Sequence, residues 1–106
     1  KANHPPVPVI NQKEEITVKS GQGFGINASA SYDPDGDSFS FLWFHYPEAG
    51  TYKTDLKISP ENYPGIWITA PEVEKKETAH IILKITDKGT PQLSRYKRIV
   101  VNIMPK

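Results

Sequence analysis

The sequence predicts an all-β domain, an antiparallel β-sandwich of about seven to eight strands. Ten prolines and seven glycines divide the 106 residues at short intervals, and the runs between them are short and rich in β-branched and aromatic residues. Two of these runs alternate apolar and polar residues. The best helical candidate, residues 71–77, is too short to bury an apolar stripe, so we interpret it as a solvated connection or single turn. A chain of this length holds one core, and we expect one domain over residues 1–106.

The predicted strands lie between the turn-forming residues. The first contains proline, which lacks a ladder donor, so it is expected at a sheet edge, where it continues from a proline-stiffened linker over residues 1–9. Such an entry is typical of a domain that follows another, and we expect a C-terminal fragment of a larger protein. The strands are predicted at residues 7–10, 15–19, 24–28, 38–46, 56–58, 65–70, 78–87 and 94–103.

The last two predicted strands are the clearest. The segment between them offers Asp87, Gly89 and Pro91 in turn-forming order, which favours a long hairpin. Because side chains alternate between the two faces of a strand, one face of each carries a continuous apolar set. The core is therefore predicted to contain Ile81, Leu83, Ile85, Ile99, Val101 and Ile103.

The aromatic strand at residues 38–46 is apolar on both faces, which predicts a central position in its sheet. We expect Phe41 and Trp43 to point inward. A bulky indole in this place is typical of immunoglobulin-like sandwiches.

Phe44 and Tyr46 are then expected to face outward, with Ile82 beside them and Tyr52 nearby, and Trp67 is expected to face outward on the other sheet. Flat aromatic faces bind the C–H surfaces of sugars, so Phe44, Tyr46, Tyr52 and Trp67 are the candidate carbohydrate-binding residues. The alternative is that this patch packs against the rest of a longer chain, since aromatic residues are also enriched at protein interfaces.

An acidic turn precedes the aromatic strand. Asp33, Asp35 and Asp37 occupy alternate positions around Gly36, and hard cations such as calcium prefer clusters of carboxylate oxygens. Asn3 and Asp87 are the candidates for further ligands. The alternative is that Asp33 caps an Asx-turn while the acids stay solvated.

Charge and motifs exclude several functions. The net charge of +1 supplies no field for nucleic acid or an anionic membrane, and no signal peptide or membrane span is recognisable.

The histidines at positions 4, 45 and 80 lie in separate segments, and His45 and His80 are expected to be structural, as possible cross-strand neighbours. The glycines from Gly21 to Gly25 have no helix after them and are interpreted as the turn into a strand. We predict no active site in this chain.

Several segments together resemble known proteins. Asn3-His-Pro-Pro6, Ile16 to Gly21, Ala28 to Asp37 and Trp43 resemble the polycystic-kidney-disease-type (PKD-like) immunoglobulin-like repeats of secreted bacterial proteins. More specific are Tyr46-Pro-Glu-Ala-Gly-Thr-Tyr52, the run from Thr78 to Pro91, and Arg95-Tyr-Lys-Arg98. These resemble the C-terminal domain of a family of bacterial cellulose-binding proteins that carry an N-terminal nucleoside-hydrolase-like domain.

The resemblance implies a non-catalytic accessory domain of a secreted, periplasmic or cell-surface bacterial protein. Its partners would be the preceding domain of the same chain and a polysaccharide such as cellulose or another glucan. The family likeness describes whole proteins and leaves open whether this domain itself touches the sugar. The alternative is a purely structural spacer without glycan binding.

Overall fold

Six strands in two sheets make up the described part of the chain, residues 3–106 of this computed structural model. The prediction of an all-β protein is confirmed, and over these residues the helical structure is limited to one 3₁₀ turn at Pro47–Ala49. The first two residues of the predicted linker lie outside the described range. The strands are β1 (Glu15–Lys19), β2 (Gly23–Asn27), β3 (Phe39–His45), β4 (Gly65–Thr69), β5 (Glu77–Asp87) and β6 (Ser94–Met104).

The larger sheet has four strands in the order β1-β6-β5-β3, and the smaller sheet pairs β2 with β4. β5 and β6 form the predicted antiparallel hairpin, with Ile81 opposite Ile99. The expectation of a wholly antiparallel arrangement was wrong for one pair, since β1 runs parallel to β6. That pairing needs no tight turn, because most of the chain lies between the two strands.

Two predicted strands, residues 7–10 and 56–58, are not strands. Only Val7 forms a bridge, with Tyr32, and Ser59 forms one with Trp67 just after the second segment. The prolines around Val7 lack the N–H groups that a ladder needs. In the second segment, Leu56 and Ile58 pack against the core without strand pairing. These residues are apolar because they are partly buried, and not because they belong to a strand. Over residues 3–106 the strand count is therefore six and not seven to eight.

β3 lies at an edge of the larger sheet, so its predicted central position was wrong. Its inner face covers the core, and its outer face packs Phe44 beside Ile82 on β5. The outer face stays partly exposed, with Leu42 at 42% exposure, so only the inner face is covered by the core. At that edge, the backbone N–H of Trp43 donates to the carbonyl of Glu61 at 2.7 Å.

Both sheets contribute to one hydrophobic core. All six core residues predicted on β5 and β6 are buried, at 1% exposure or less. The smaller sheet adds Ile26, Ile66 and Ile68 to the same cluster. The inward faces of the two sheets therefore meet, as the alternation of the strands predicted.

Trp43 is the largest side chain buried in this core, with 1% of its surface exposed. Its indole Nε1 donates to the carbonyl of Tyr63 at 2.8 Å, which satisfies the polar atom of the ring. Phe41, which was predicted to point inward with it, is half-buried against the same cluster.

Replacing Trp43 by phenylalanine should lower the free energy of unfolding by about 2–4 kcal/mol. The change leaves a void in the core and removes the donor to the Tyr63 carbonyl. Urea denaturation followed by circular dichroism measures the loss. Trp67→Phe is the matched control, because that indole is exposed, and it should change stability by no more than about 0.5 kcal/mol. Equal stability of the two variants would contradict the role given to Trp43.

Candidate functional site

The four predicted sugar-binding aromatic residues do not share one surface. Phe44 and Tyr46 lie on the outer face of the larger sheet, where a cleft is lined by Phe44, Tyr46, Ile82, Tyr96 and Arg98. We call this set the outer patch. Tyr46 is 40% and Tyr96 59% exposed. The predicted contact between Phe44 and Ile82 is present as a cross-strand pair.

Trp67 lies on the outer face of the smaller sheet, as predicted, and 59% of its surface is exposed. Its partner across the ladder is Gly25. A Cβ atom on Gly25 would lie 3.5 Å from Cε3 of the indole, and one on Gly23 would overlap the other edge of the ring, at 2.9 Å from Cε2. The indole therefore lies along β2 across two residues that have no side chain.

Polar residues border Trp67 on β4 and on the segment before it. The segment before β4 runs beside Trp67, whose N–H donates to the carbonyl of Ser59 at 2.9 Å. Lys57, Ser59 and Thr69 line a shallow cleft together with the indole. Trp67, Gly23, Gly25, Lys57, Ser59 and Thr69 are called the indole platform below.

Tyr52 is separate from both surfaces. It packs against the core, and its ring lies 6.1 Å from the ring of His45. On its other side it lines a cleft with Val73 and the glutamates 72, 74 and 77.

The acidic turn brings three carboxylates together. Asp33, Asp35 and Asp37 each offer an oxygen, and these oxygens lie within 4.8 Å of one another. The Asx-turn is also present, because Oδ1 of Asp33 accepts from the N–H of Asp35 at 2.8 Å and Gly36 has a φ of 75°. Oδ2 of Asp33 is buried and has no hydrogen-bond partner within the described residues. Burial and the charges of Asp33, Asp87 and Asp35 raise the pKa of Asp37 above its usual value.

Asn3 and Asp87, the other predicted ligands, contact each other. Nδ2 of Asn3 donates to Oδ2 of Asp87 at 2.9 Å. Oδ1 of Asp87 accepts from the N–H groups of Leu93 at 2.8 Å and Gly89 at 3.2 Å, and these bonds, led by the one from Leu93, lower the pKa of Asp87. By accepting these backbone hydrogen bonds, this buried carboxylate stabilises the conformation of the β5–β6 connection. Asp35 binds the chain start, accepting from the backbone N–H of His4 at 2.6 Å.

His45 and His80 do not form a cross-strand pair. In the register, His45 lies opposite Ile81, whose side chain is in the core, whereas His80 projects to the other face of the sheet. Each ring keeps one buried nitrogen without a hydrogen-bond partner in the described chain, Nε2 of His45 and Nδ1 of His80. That both histidines have a structural role stays a prediction. Among residues 3–106, the acidic turn is the one group of three or more metal-binding side chains that converges.

The sequence reasoning missed several residues of both surfaces. Tyr96 and Arg98 could have been placed in the outer patch, because they alternate with the inward Ile99 and Val101. The sequence gives only a weak indication that Trp67 lies over Gly23 and Gly25. That indication is the glycine at two alternate positions of β2. Recognising it required the register between β2 and β4, which the sequence does not state.

These features define a small two-sheet domain with an aromatic surface on each outer face. The chain belongs to the family described as cellulose-binding protein Sde0182, C-terminal domain, whose match spans residues 23–103. The resemblance stated from the sequence is thereby confirmed.

A solved structure is also similar. It is a nucleoside hydrolase-related hypothetical protein from Saccharophagus degradans that is associated with carbohydrate metabolism, with a TM-score of 0.91 and 35% sequence identity. The match covers 97% of this chain and 26% of that chain, so this chain spans about a quarter of its length. No curated protein matches the sequence significantly. In residues 3–106, none of the helical structure has the length and hydrophobicity needed to cross a membrane.

Lowering the pH from about 7.5 to about 5.5 should reduce the free energy of unfolding. Burial lowers the pKa of both His45 and His80, and Arg98 adds to the effect at His80. As the pH falls through about 6.5, the unfolded chain takes up protons that the folded chain resists, so unfolding becomes easier. Urea denaturation at the two pH values measures the fall, which should be smaller in His45→Gln and His80→Gln. An equal fall in wild type and both variants would contradict this origin.

Proposed function

We propose that this chain is a non-catalytic accessory domain that helps a secreted bacterial, hydrolase-like protein of the cellulose-binding type attach to polysaccharide. The observation that carries the proposal is the exposed indole of Trp67, held along a glycine-lined strand with polar residues beside it. An exposed indole bordered by polar groups combines the flat apolar surface and the few polar groups that ligand sites use. Family membership supports the same conclusion.

The comparisons support a setting beside another domain. The Saccharophagus protein is nucleoside hydrolase-related, and this chain matches about a quarter of it. We infer that a nucleoside-hydrolase-like domain precedes this one in a longer polypeptide. Binding to cellulose or another glucan places such a protein outside the cytoplasm, in the periplasm, at the cell surface or in the medium.

We infer an immunoglobulin-like, PKD-like fold from the strand arrangement. In immunoglobulin-like domains the third and the last two strands form one sheet, and the buried tryptophan lies on the third. Here β3, β5 and β6 share a sheet and Trp43 lies on β3. β2 and β4 correspond to the opposite sheet. The bridges at Val7 and Ser59 fall where its two remaining strands would lie.

The absence of catalysis is also part of the proposal. A hydrolytic site needs a nucleophile or activated water next to a base in a cleft. In the described chain, His45 and His80 lie on opposite faces of one sheet, and His4 contacts Asp35 at the surface turn. The chemistry of the longer protein is therefore assigned to its other domain.

A structural spacer is the second candidate, and the outer patch favours it. Phe44, Ile82 and Tyr96 form an apolar surface beside Arg98 on the outer face of the larger sheet. A surface of this composition is typical of contacts between domains. In this reading the patch packs against the preceding domain and no glycan is recognised.

Affinity electrophoresis of the 106-residue chain in gels containing soluble glucan separates the two candidates. An accessory domain that binds polysaccharide should be retarded in hydroxyethyl cellulose relative to a gel without glucan. The double variant Tyr46→Ala, Trp67→Ala should migrate equally in both gels, because both candidate faces are removed. Wild-type migration that is unchanged in every glucan tested would overturn the binding function and leave the spacer.

We also propose that the acidic turn binds calcium through Asp33, Asp35 and Asp37. Its support is the buried Oδ2 of Asp33, which has no partner in the described chain although an unpaired buried carboxylate oxygen is costly. A divalent cation would satisfy that oxygen and offset the repulsion among the three acids. Asn3 and Asp87 stand beside the site, where Asp87 adds negative charge that acts on Asp37.

Calcium should raise the Tm of the wild-type chain by several degrees relative to a chelator, because the ion binds the folded state alone. Thermal denaturation with millimolar calcium or with chelator measures the shift. Asp33→Asn keeps the Oδ1 acceptor of the Asx-turn but removes a charge, so its Tm should respond much less. A wild-type Tm that is the same in calcium and in chelator would remove calcium from the proposal.

A further inference from the structure

The indole platform differs from the outer patch in how its aromatic residue is supported. Gly23 and Gly25 are adjacent outward positions on β2, and a Cβ on either would meet the Trp67 ring. The ring therefore rests on backbone, and β2 itself fixes its plane. Little side-chain freedom remains to be lost when a ligand covers the outer side of the ring, which favours binding.

The surroundings of the ring indicate what it accepts. Lys57, Ser59 and Thr69 line the cleft beside Trp67, so a flat apolar surface is bordered by one cation and two hydroxyl groups. A ligand that fits must present a flat C–H face to the indole and hydroxyl groups to the rim. The outer patch has another composition, with several apolar side chains around Arg98.

Pyranose rings in β-linked glucans have this form. All their ring substituents are equatorial, so their two faces carry only axial C–H bonds and their hydroxyl groups point outward around the edge. A charged uronic acid chain would instead be recognised by Lys57, the one cationic group of the platform. The platform offers one charge and two hydroxyl groups beside a large apolar face, so stacking on a neutral ring uses more of it than pairing with a charged chain.

We propose that the indole platform is the polysaccharide site of this domain, with Trp67 stacking on the ring face of a neutral β-linked glucan and Gly23 and Gly25 required as the backing of the indole. This rests on the proposed function, which it makes specific. Phe44, Tyr46 and Tyr52 lie outside the site.

The test uses the 106-residue chain in hydroxyethyl cellulose gels. Trp67→Ala should weaken binding about tenfold or more, since the stacking surface is lost. Gly23→Ala removes no group that touches glucan, yet it should weaken binding severalfold because the new methyl group displaces the ring. Gly65→Ala is the matched control, since its Cβ would lie on the same sheet and meet only Nδ2 of Asn27 at 3.4 Å. It should bind as wild type does, as should Tyr46→Ala.

Circular dichroism melts of all variants establish that each is folded at the temperature of the gel. If Gly23→Ala does not fold, Gly25→Val takes its place. A Cβ at position 25 would lie only in ordinary contact with the indole, at 3.5 Å from Cε3, so a larger side chain is needed there to displace the ring. Loss of binding in Trp67→Ala with wild-type binding in the folded glycine variant would overturn the backing role.

The remaining outcomes separate this inference from the function on which it rests. Wild-type retardation that persists in Trp67→Ala would overturn the platform and leave the accessory function intact. Absence of wild-type retardation would overturn both. Retardation in polygalacturonate but not in hydroxyethyl cellulose would replace ring stacking by charge recognition through Lys57 and overturn the assignment to a neutral chain.

Discussion

The contact of Trp43 with the segment after residue 59 holds this fold together. The side chain fills the space between the two sheets, its Nε1 donates to Tyr63, and its backbone N–H donates to Glu61. One residue of the larger sheet thereby fixes the chain that leads into β4 of the smaller sheet. Since the two sheets share no ladder, their relative position depends on side-chain packing, on this crossing segment and on the short β1–β2 connection, where the N–H of Gly21 donates to the carbonyl of Ala70 at 2.9 Å.

With both inner faces committed to one core, the outer faces are left for contacts with other molecules. The exposed aromatic residues have different surroundings on the two outer faces. On the larger sheet, Phe44 is surrounded by other side chains and shares its surface with Ile82 and Tyr96. On the smaller sheet, Trp67 stands over glycine and has its neighbours only at its border. The first arrangement offers a broad apolar area of the kind that binds another protein surface. The second offers a single indole, which can stack on one sugar ring of a narrow polysaccharide chain.

The period of two placed the core of β5 and β6 from the sequence because each long strand has one buried face, so alternation alone decides the direction of every side chain. The same reasoning placed Trp67 outward, whereas Trp43 was placed inward because immunoglobulin-like sandwiches typically bury an indole on this strand, both faces of which are apolar. It failed for residues 56–58, where apolar residues pack without a ladder. It also failed for the position of β3, because the outer face of this strand is apolar and yet partly exposed, so two apolar faces did not indicate a neighbouring strand on each edge. Tyr52 lies outside any strand, so no period governed its direction. How Gly23 meets Trp67 depends on inter-strand register, which no local pattern encodes.

The edge position of β3 has a consequence for how the molecule behaves among copies of itself. An apolar edge strand with open N–H and C=O groups offers a template on which a second chain can add a strand. Here the segment through Glu61 and Tyr63 runs past that edge at Trp43 and takes its N–H group, while the prolines at positions 60 and 64 deny the segment itself a regular ladder. The crossing connection thus occupies this edge at Trp43, where a strand from a second chain would otherwise pair.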